Sequence, residues 1–268
     1  MLANILTIAG SDSGGGAGIQ GDLKSISATG AYGLSVVTAL TAQNTAGVDA
    51  IYPVTTSFLK QQMQAVAGDI QIDAVKVGML GTPEVIEAVA EFVAGLQCPI
   101  VVDPVMVAKS GDRLLRADAV TSLRESLITK ASLITPNLPE AADLLGVTEA
   151  VDRESMIRQT KALLRLGPGA VLLKGGHLAT NESPDLLALD DRYIWYDSER
   201  IDTMNTHGTG CTLSSALASF MGQGLETPDA VSEAKTYVKG AITAANRLNV
   251  GNGHGPVHHF WRFWGYDD

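Results

Sequence analysis

The stretch Ile5-Leu6-Thr7-Ile8-Ala9, continued by Gly10-Ser11-Asp12-Ser13-Gly14-Gly15-Gly16-Ala17-Gly18-Ile19-Gln20-Gly21-Asp22, passes from an apolar run through a glycine-rich loop into a helical pattern. A strand that turns over glycines into a helix is the first half of a βα unit, and the same change of period recurs along the chain. Further strand candidates are Leu34 to Ala42, Ala74 to Val77, Ile100 to Val102, Leu133 to Thr135 and Ala170 to Leu173. Helical patterns lie between them. Thr82-Pro83 reads as an N-cap with proline at the first helical position, and Val85, Val89, Phe92 and Leu96 form one apolar stripe behind it. Thr227-Pro228 reads as the same device before Val231, Ala234, Val238, Ala241, Ala245 and Leu248. Leu186 to Leu189 and Tyr193 to Trp195 flank Asp190-Asp191 as a late hairpin.

This alternation predicts an α/β fold with a mostly parallel central sheet and helices on both faces, and ligands beyond the carboxyl ends of the strands. With 268 residues, 46% of them hydrophobic, and no repeat or linker, residues 1–268 read as a single domain. The formal charge is -10 and no Lys/Arg cluster exceeds two residues, which argues against nucleic acid or an anionic membrane as partner. Any phosphate must then be met by local devices: helix N-termini, glycine amides, a few lysines, a metal ion. The opening residues carry no basic leader and no apolar run approaches the roughly 18 residues of a membrane span, so the cytosol is the expected compartment. Cys98 and Cys211 are the two cysteines, in no metal-ligand spacing.

Gly16-x-Gly18-x-x-Gly21 formally matches a dinucleotide fingerprint, but no Asp or Glu occurs between Asp22 and Asp49 to hold a ribose, which argues against a dehydrogenase. No Gly-x-x-x-x-Gly-Lys-Ser/Thr occurs either, which excludes a P-loop. The remaining phosphate cradle is Asn205-Thr206-His207-Gly208-Thr209-Gly210-Cys211-Thr212, followed by the small-residue helix pattern Leu213 to Met221. Amides converging at a helix start, with the helix dipole behind them, can hold the charge of a transferring phosphoryl group. Close packing of helix on sheet is the plainer explanation of the same glycines.

Several segments carry a family resemblance. They are Ala9 to Asp12 with Gly15 to Gln20 and Asp22 to Lys24, Gly30 to Gly33, Lys76 to Leu80, Asp103 to Met106 with Ala108 to Gly111, Thr135 to Ala141, Lys174 to His177, Thr206 to Thr212 and Gly255 to Phe260. In order and over essentially the whole chain, they resemble the hydroxymethylpyrimidine/phosphomethylpyrimidine kinases of thiamine biosynthesis. The resemblance implies a ribokinase-like fold, usually a homodimer, that uses MgATP to phosphorylate 4-amino-5-hydroxymethyl-2-methylpyrimidine and then its monophosphate. It implies a pyrimidine site of Gly10, Asp22, Gln43, Met79 and Val105, where the amide of Gln43 suits an aminopyrimidine edge. Some members have Glu at the Gln43 position, and Ser13 and Gly21 replace the commoner Pro and Ala. A pyridoxal kinase on the same scaffold, or a non-catalytic relative, are the rival readings.

The remaining candidates each carry a plain alternative. Asn137 and Glu140 have the spacing of a capping box, while the resemblance assigns them, with Asp103, to the phosphate and Mg²⁺ region. Lys174 ends an apolar strand and needs a partner, either a phosphate or an internal carboxylate. Thr206, Gly208, Thr209 and Gly210 belong to the anion loop in the resemblance, and His177 lines the crevice or satisfies a loop. His254, His258 and His259 read as surface or packing residues. Cys211 stands where the wider ribokinase-like class has an Asp base. A helix N-terminus lowers a thiol's pKa, so a thiolate base is expected there, against a small buried apolar residue as the alternative.

Overall fold

The computed structural model describes residues 1–107, 114–116, 118–180 and 182–265. The stretch from Ala108 to Gly111, which carries part of the resemblance, lies outside the described residues. Among those described, nine strands form one sheet: β1 (Asn4–Ser11), β2 (Tyr32–Gln43), β3 (Val48–Pro53), β4 (Ala74–Val77), β5 (Ile100–Val102), β6 (Leu133–Ile134), β7 (Ala170–Lys174), β8 (Asp185–Leu189) and β9 (Arg192–Tyr196). Their spatial order is β3-β2-β1-β4-β5-β6-β7-β8-β9. The strands from β2 to β7 in that order run parallel, and antiparallel strands close both edges, β3 on one side and the β8–β9 hairpin on the other.

The parallel strands are apolar on both faces because both are covered. Leu6, Ile8, Val75, Val102 and Ile134 face one core with α2 (Thr56–Ala67), α3 (Pro83–Ala94), α4 (Ala119–Ser122), α5 (Leu138–Leu145) and α6 (Arg153–Leu164). Ile5, Ala74, Val101 and Leu133 face the other with α1 (Gly18–Ala28), α7 (Thr209–Gly222) and α8 (Thr227–Thr243). Adjacent residues of one strand thus feed opposite cores, as the two-residue period requires.

The start of α3 is as expected: Thr82 Oγ1 accepts from the Val85 amide at 3.5 Å, with Pro83 following. The start of α8 is not. Glu226 is its extended N-cap and Thr227 is already helical, and no side chain caps the end. The hairpin partner β3 is an addition to the sequence reading. Val48 to Pro53 has almost no inward face, being exposed at five of six positions, so it lacks the apolar alternation that announces a strand. Pairing with the long β2 makes it one.

Parallel strands all end on the same side, so residues just beyond β1, β4, β5, β6 and β7 converge there. These are Asp12, Met79, Asp103, Asn137 and the β7 terminus Lys174.

Candidate active site

A cleft of about 850 Å³ opens over this edge. At one end stand Gly10, Gln43, Met79 and Val105, in its middle Asp103, Asn137, Glu140 and Lys174 face Thr206 to Cys211, and it continues to Tyr196, Lys235 and Lys239. His177 also lines it. Every residue singled out in the sequence reading for catalysis, substrate, nucleotide or metal lies on this one wall except Asp22, which is fully buried behind it. At Gly10 an added Cβ would come within 3.0 Å of Met79 Sδ, so the glycine keeps that end of the cleft open.

The anion loop leads into α7. Gly208 is its N-cap at φ +81°, and a Cβ there would lie 1.9 Å from the Gly16 carbonyl oxygen, so only glycine lets the two loops touch. No side chain caps α7; its Thr209 amide turns back to Thr206 O at 3.3 Å, and the helix dipole is directed at the cleft. Gly210 abuts the carboxylate cluster: a Cβ there would stand 3.5 Å from Lys174 Nζ and 3.6 Å from Asp103 Oδ2.

In that cluster Lys174 Nζ donates to Asp103 Oδ1 at 3.0 Å and lies 3.9 Å from Glu140 Oε2. Asp103 also accepts from Thr135 Oγ1 at 3.2 Å and Ser214 Oγ at 3.3 Å. Burial opposes the charge on Lys174, but Asp103 and Glu140 outweigh it and raise its pKa. Glu140 forms a full capping box on α5: its carboxylate accepts from the Asn137 amide and the Asn137 side chain from the Glu140 amide, both at 2.8 Å. Both alternatives for Lys174, and both for Glu140, are therefore compatible in one place, since the internal partners also border the cleft. Burial raises the Glu140 carboxyl to about 7, with Lys174 opposing and Asp103 adding to the rise.

The first glycine loop serves itself. Asp12 is buried, and its carboxylate accepts the amides of Gly14, Gly16 and Ala17 at 2.8, 3.1 and 2.8 Å. The amide nest is thus filled by the chain's own carboxylate, so these donors are spent before any ligand arrives. Desolvation pushes the Asp12 carboxyl up, but His207 and these amides prevail and hold its pKa below the usual value.

Residues 12–258 match the model of the phosphomethylpyrimidine kinase family. The chain belongs to that family. A hydroxymethylpyrimidine/phosphomethylpyrimidine kinase of Rhizobium meliloti (strain 1021) is 52% identical over 98% of this chain and 99% of its own. Among solved structures, the pyridoxal kinase of Bacillus subtilis in its ADP complex has a TM-score of 0.90 at 35% identity, covering 98% of this chain and 100% of that one. A phosphomethylpyrimidine kinase from Clostridium difficile 630 has a TM-score of 0.80 at 44% identity, covering 90% and 99%.

A kinase of this family needs a phosphate donor, and the cleft has the parts for one. Among the described residues no group of three or more His, Cys, Asp or Glu side chains is arranged to hold a metal ion alone. Two buried carboxylates lining the cleft nevertheless suit Mg²⁺, which takes one or two carboxylates and completes its shell with phosphates and water. The donor set therefore fits a kinase whose metal arrives with the nucleotide.

Cys211 corrects the sequence expectation. Burial raises its thiol to about 11, Asp22 and Asp103 adding to the rise, while Lys76 and the Gly18 amide oppose it. The helix N-terminus is present, but desolvation outweighs it. The other cysteine, Cys98, is also raised to about 11, by burial and Asp73, and packs against the core away from the cleft.

Three features went unassigned in the sequence reading. Lys76 and Asp22 form an ion pair that is 0% exposed at both ends, at 2.8 Å. The carboxyl-terminal segment braces the anion loop: His207 N donates to Gly255 O at 3.0 Å, Val257 N to His207 O at 3.2 Å, and His259 Nε2 sits 3.1 Å from Thr212 Oγ1. His258 and His259 are buried packing residues, and desolvation lowers His259 to about 3. Arg200 ties down the loop after β7, donating to the carbonyls of Gly176, Leu178 and Thr180 at 3.0, 2.8 and 3.1 Å. Single charged residues between apolar runs carry no sequence signal for such long-range roles.

Proposed function

We propose that this chain is an ATP-dependent kinase of thiamine biosynthesis that phosphorylates the hydroxymethyl group of 4-amino-5-hydroxymethyl-2-methylpyrimidine and then the resulting monophosphate. The observation that carries the reading is the single cleft in which Gly10, Gln43, Met79 and Val105 stand at one end and the uncapped α7 N-terminus, with Cys211, stands beside them. The Gln43 amide offers a donor and an acceptor to the aminopyrimidine edge. Gly208, Thr209 and Gly210 form the anion hole for the phosphoryl group in flight, where little covalent work is needed beyond positioning and charge stabilisation.

Lys174 exchanges part of its bond with Asp103 for the transferring phosphate, and Asn137 and Thr206 border the donor. Asp103 and Glu140 would hold Mg²⁺, which supplies charge neutralisation on the donor phosphates. Cys211 takes the proton of the acceptor hydroxyl as its oxygen bonds to the γ-phosphorus and the bond to the leaving ADP oxygen breaks. Because burial disfavours the thiolate, the form that acts as base is a minor one at neutral pH. The enzyme works as a cytoplasmic homodimer of single-domain subunits in this reading; among the described residues no helix is long and apolar enough to cross a membrane.

Purified protein with MgATP should convert the hydroxymethylpyrimidine to its monophosphate and then its diphosphate, followed by mass spectrometry. The likeness to pyridoxal kinases makes pyridoxal the decisive competitor: a higher kcat/KM for pyridoxal, or transfer to neither, would sink the assignment.

A further inference from the structure

Two helices meet in register beneath the acceptor end of the cleft. Gly18 opens α1, and Cys211 stands in the first turn of α7, both lining the same cleft. Four residues further along each helix, Asp22 of α1 accepts a 2.7 Å hydrogen bond from Ser215 of α7. Cys211 and Ser215 thus share a helix face, about one turn or roughly 6 Å apart along the axis. Lys76 rises from β4 into this step. Its Nζ lies 2.9 and 2.8 Å from the two Asp22 oxygens, and Asp22 is its only hydrogen-bond partner among the described residues. Thr7 Oγ1 completes the carboxylate at 2.6 Å.

A fully buried ion pair is a poor source of stability, because desolvating two charges offsets their attraction. The position of this one is what matters. Lys76 forms part of the cleft wall, and a Cβ at Gly78 would come within 2.7 Å of its Nζ, so the glycine leaves the ammonium its place. The charged groups facing the Cys211 sulfur are Lys76 from β4, Asp22 from α1, Asp103 beyond β5 and Lys174 at the end of β7. Of the charges acting on the thiol, Lys76 does most to favour its anion. Burial works against its own charge, yet Asp22, with Cys211 and Asp103 adding to it, outweighs that and keeps it protonated through the working range.

We propose that Lys76, clamped by Asp22, is a positioning residue for phosphoryl transfer: a fixed cation one helical turn beneath Cys211 that sets how readily its sulfur takes the acceptor's proton. This rests on Cys211 being the proton acceptor. Lys76 gives up no proton itself. The hydroxyl proton passes to the sulfur, the oxygen bonds to the γ-phosphorus, and the electron pair of the breaking bond leaves with ADP.

The test compares the intact pair with Asp22→Asn/Lys76→Met, both in a Cys98→Ser background so that Cys211 is the single thiol; Asp22→Asn alone is avoided because it would strand the buried ammonium. Lys76→Met alone is avoided because it would strand a buried carboxylate. Iodoacetamide reads the thiolate independently of turnover. Removing the pair should slow alkylation at pH 8 several-fold and move the rate profile to higher pH, because Lys76 acts on the thiol more strongly than Asp22 does. Equal alkylation rates in the two variants overturn the proposal. In kinetics, removing the pair should lower kcat when Cys211 is present and cause no further loss in Cys211→Ala; the same loss in both backgrounds also overturns it. A normal kcat for Cys211→Ala would strike the underlying base assignment and this proposal with it, whereas equal alkylation rates strike this proposal alone.

Discussion

Asp12 Oδ2 and His207 Nε2 lie 2.8 Å apart across 195 positions of sequence, and this contact ties the first glycine loop to the anion loop. The same oxygen accepts the Gly16 and Ala17 amides, so one carboxylate sets the shape of one loop and anchors the other. Gly208 then packs directly on the Gly16 carbonyl. Positioning of the phosphoryl-transfer site is therefore shared between two distant stretches of chain.

Asp12→Ala should strand the loop amides and loosen His207, at a stability cost of about 1 to 3 kcal/mol, the range for leaving a buried donor unpaired. The pH dependence has a definite sign. The folded-state pKa of Asp12 is held below its unfolded value, so its contribution is present above the unfolded carboxyl pKa of about 3.9 and is lost as pH falls through the folded value. Thermal unfolding of wild type and variant should differ most near pH 7 and converge below about pH 4. A constant difference across that range would mean that the ionised carboxylate is not what holds the loop.

The fold was legible because its signal is local. Apolar strands such as Ala74 to Val77 and Ile100 to Val102, each followed by a glycine or proline turn, announce buried parallel strands without reference to partners. β3 was not legible because its side chains face water and its pairing with β2 makes it a strand. The site divides the same way. Motifs on loops at strand ends placed Asn137, Lys174 and Gly208 to Cys211 on one wall, but the burial of Asp22 depends on Lys76, 54 positions away. The thiol's resistance to ionisation likewise depends on desolvation by several elements, which a helix start in the sequence cannot reveal.

Glu140 serves both a cap and the cleft, and Glu140→Gln separates the roles. A glutamine at this position still closes a capping box, so melting should change little from that cause. Burial raises the carboxyl to about 7 in the folded protein, above an unfolded value of about 4.3, so the folded state binds the extra proton between these limits. Stability therefore falls as pH rises through that window, and the neutral amide removes this loss. The variant should gain stability relative to wild type from pH 4 to pH 8 while its apparent Mg²⁺ constant weakens several-fold. An unchanged Mg²⁺ constant would leave Glu140 as a cap alone.

Gly208→Ala places a Cβ 1.9 Å from a backbone oxygen at a residue with φ +81°, so neither rotamer change nor side-chain motion relieves it. Displacing the anion loop should lower kcat by about 10² or more, the range for losing an oxyanion-type donor, with smaller change in the pyrimidine KM. Loss of pyrimidine binding with kcat intact would place the phosphoryl group elsewhere.

Cys211→Ala should lower kcat by roughly 10² to 10⁴, the range for removing a general base, while nucleotide affinity holds. The raised thiol makes the pH profile diagnostic. Only the thiolate can accept the proton, and with the thiol at about 11 its population grows about tenfold per pH unit through neutrality, so kcat should keep rising above pH 8 in wild type. That rise should be absent in Cys211→Ala, and activity should return in part in Cys211→Asp, whose carboxyl is a stronger acid than the thiol. Iodoacetamide should inactivate the enzyme faster at higher pH, and bound pyrimidine should protect it, because the sulfur lines the same cleft as Gly10 and Met79. Cys98 is the internal control: packed against the core beside Asp73, it should be alkylated without loss of activity. A folded Cys211→Ala with near-normal kcat and an unchanged profile would leave transfer resting on the α7 amides and Lys174 alone.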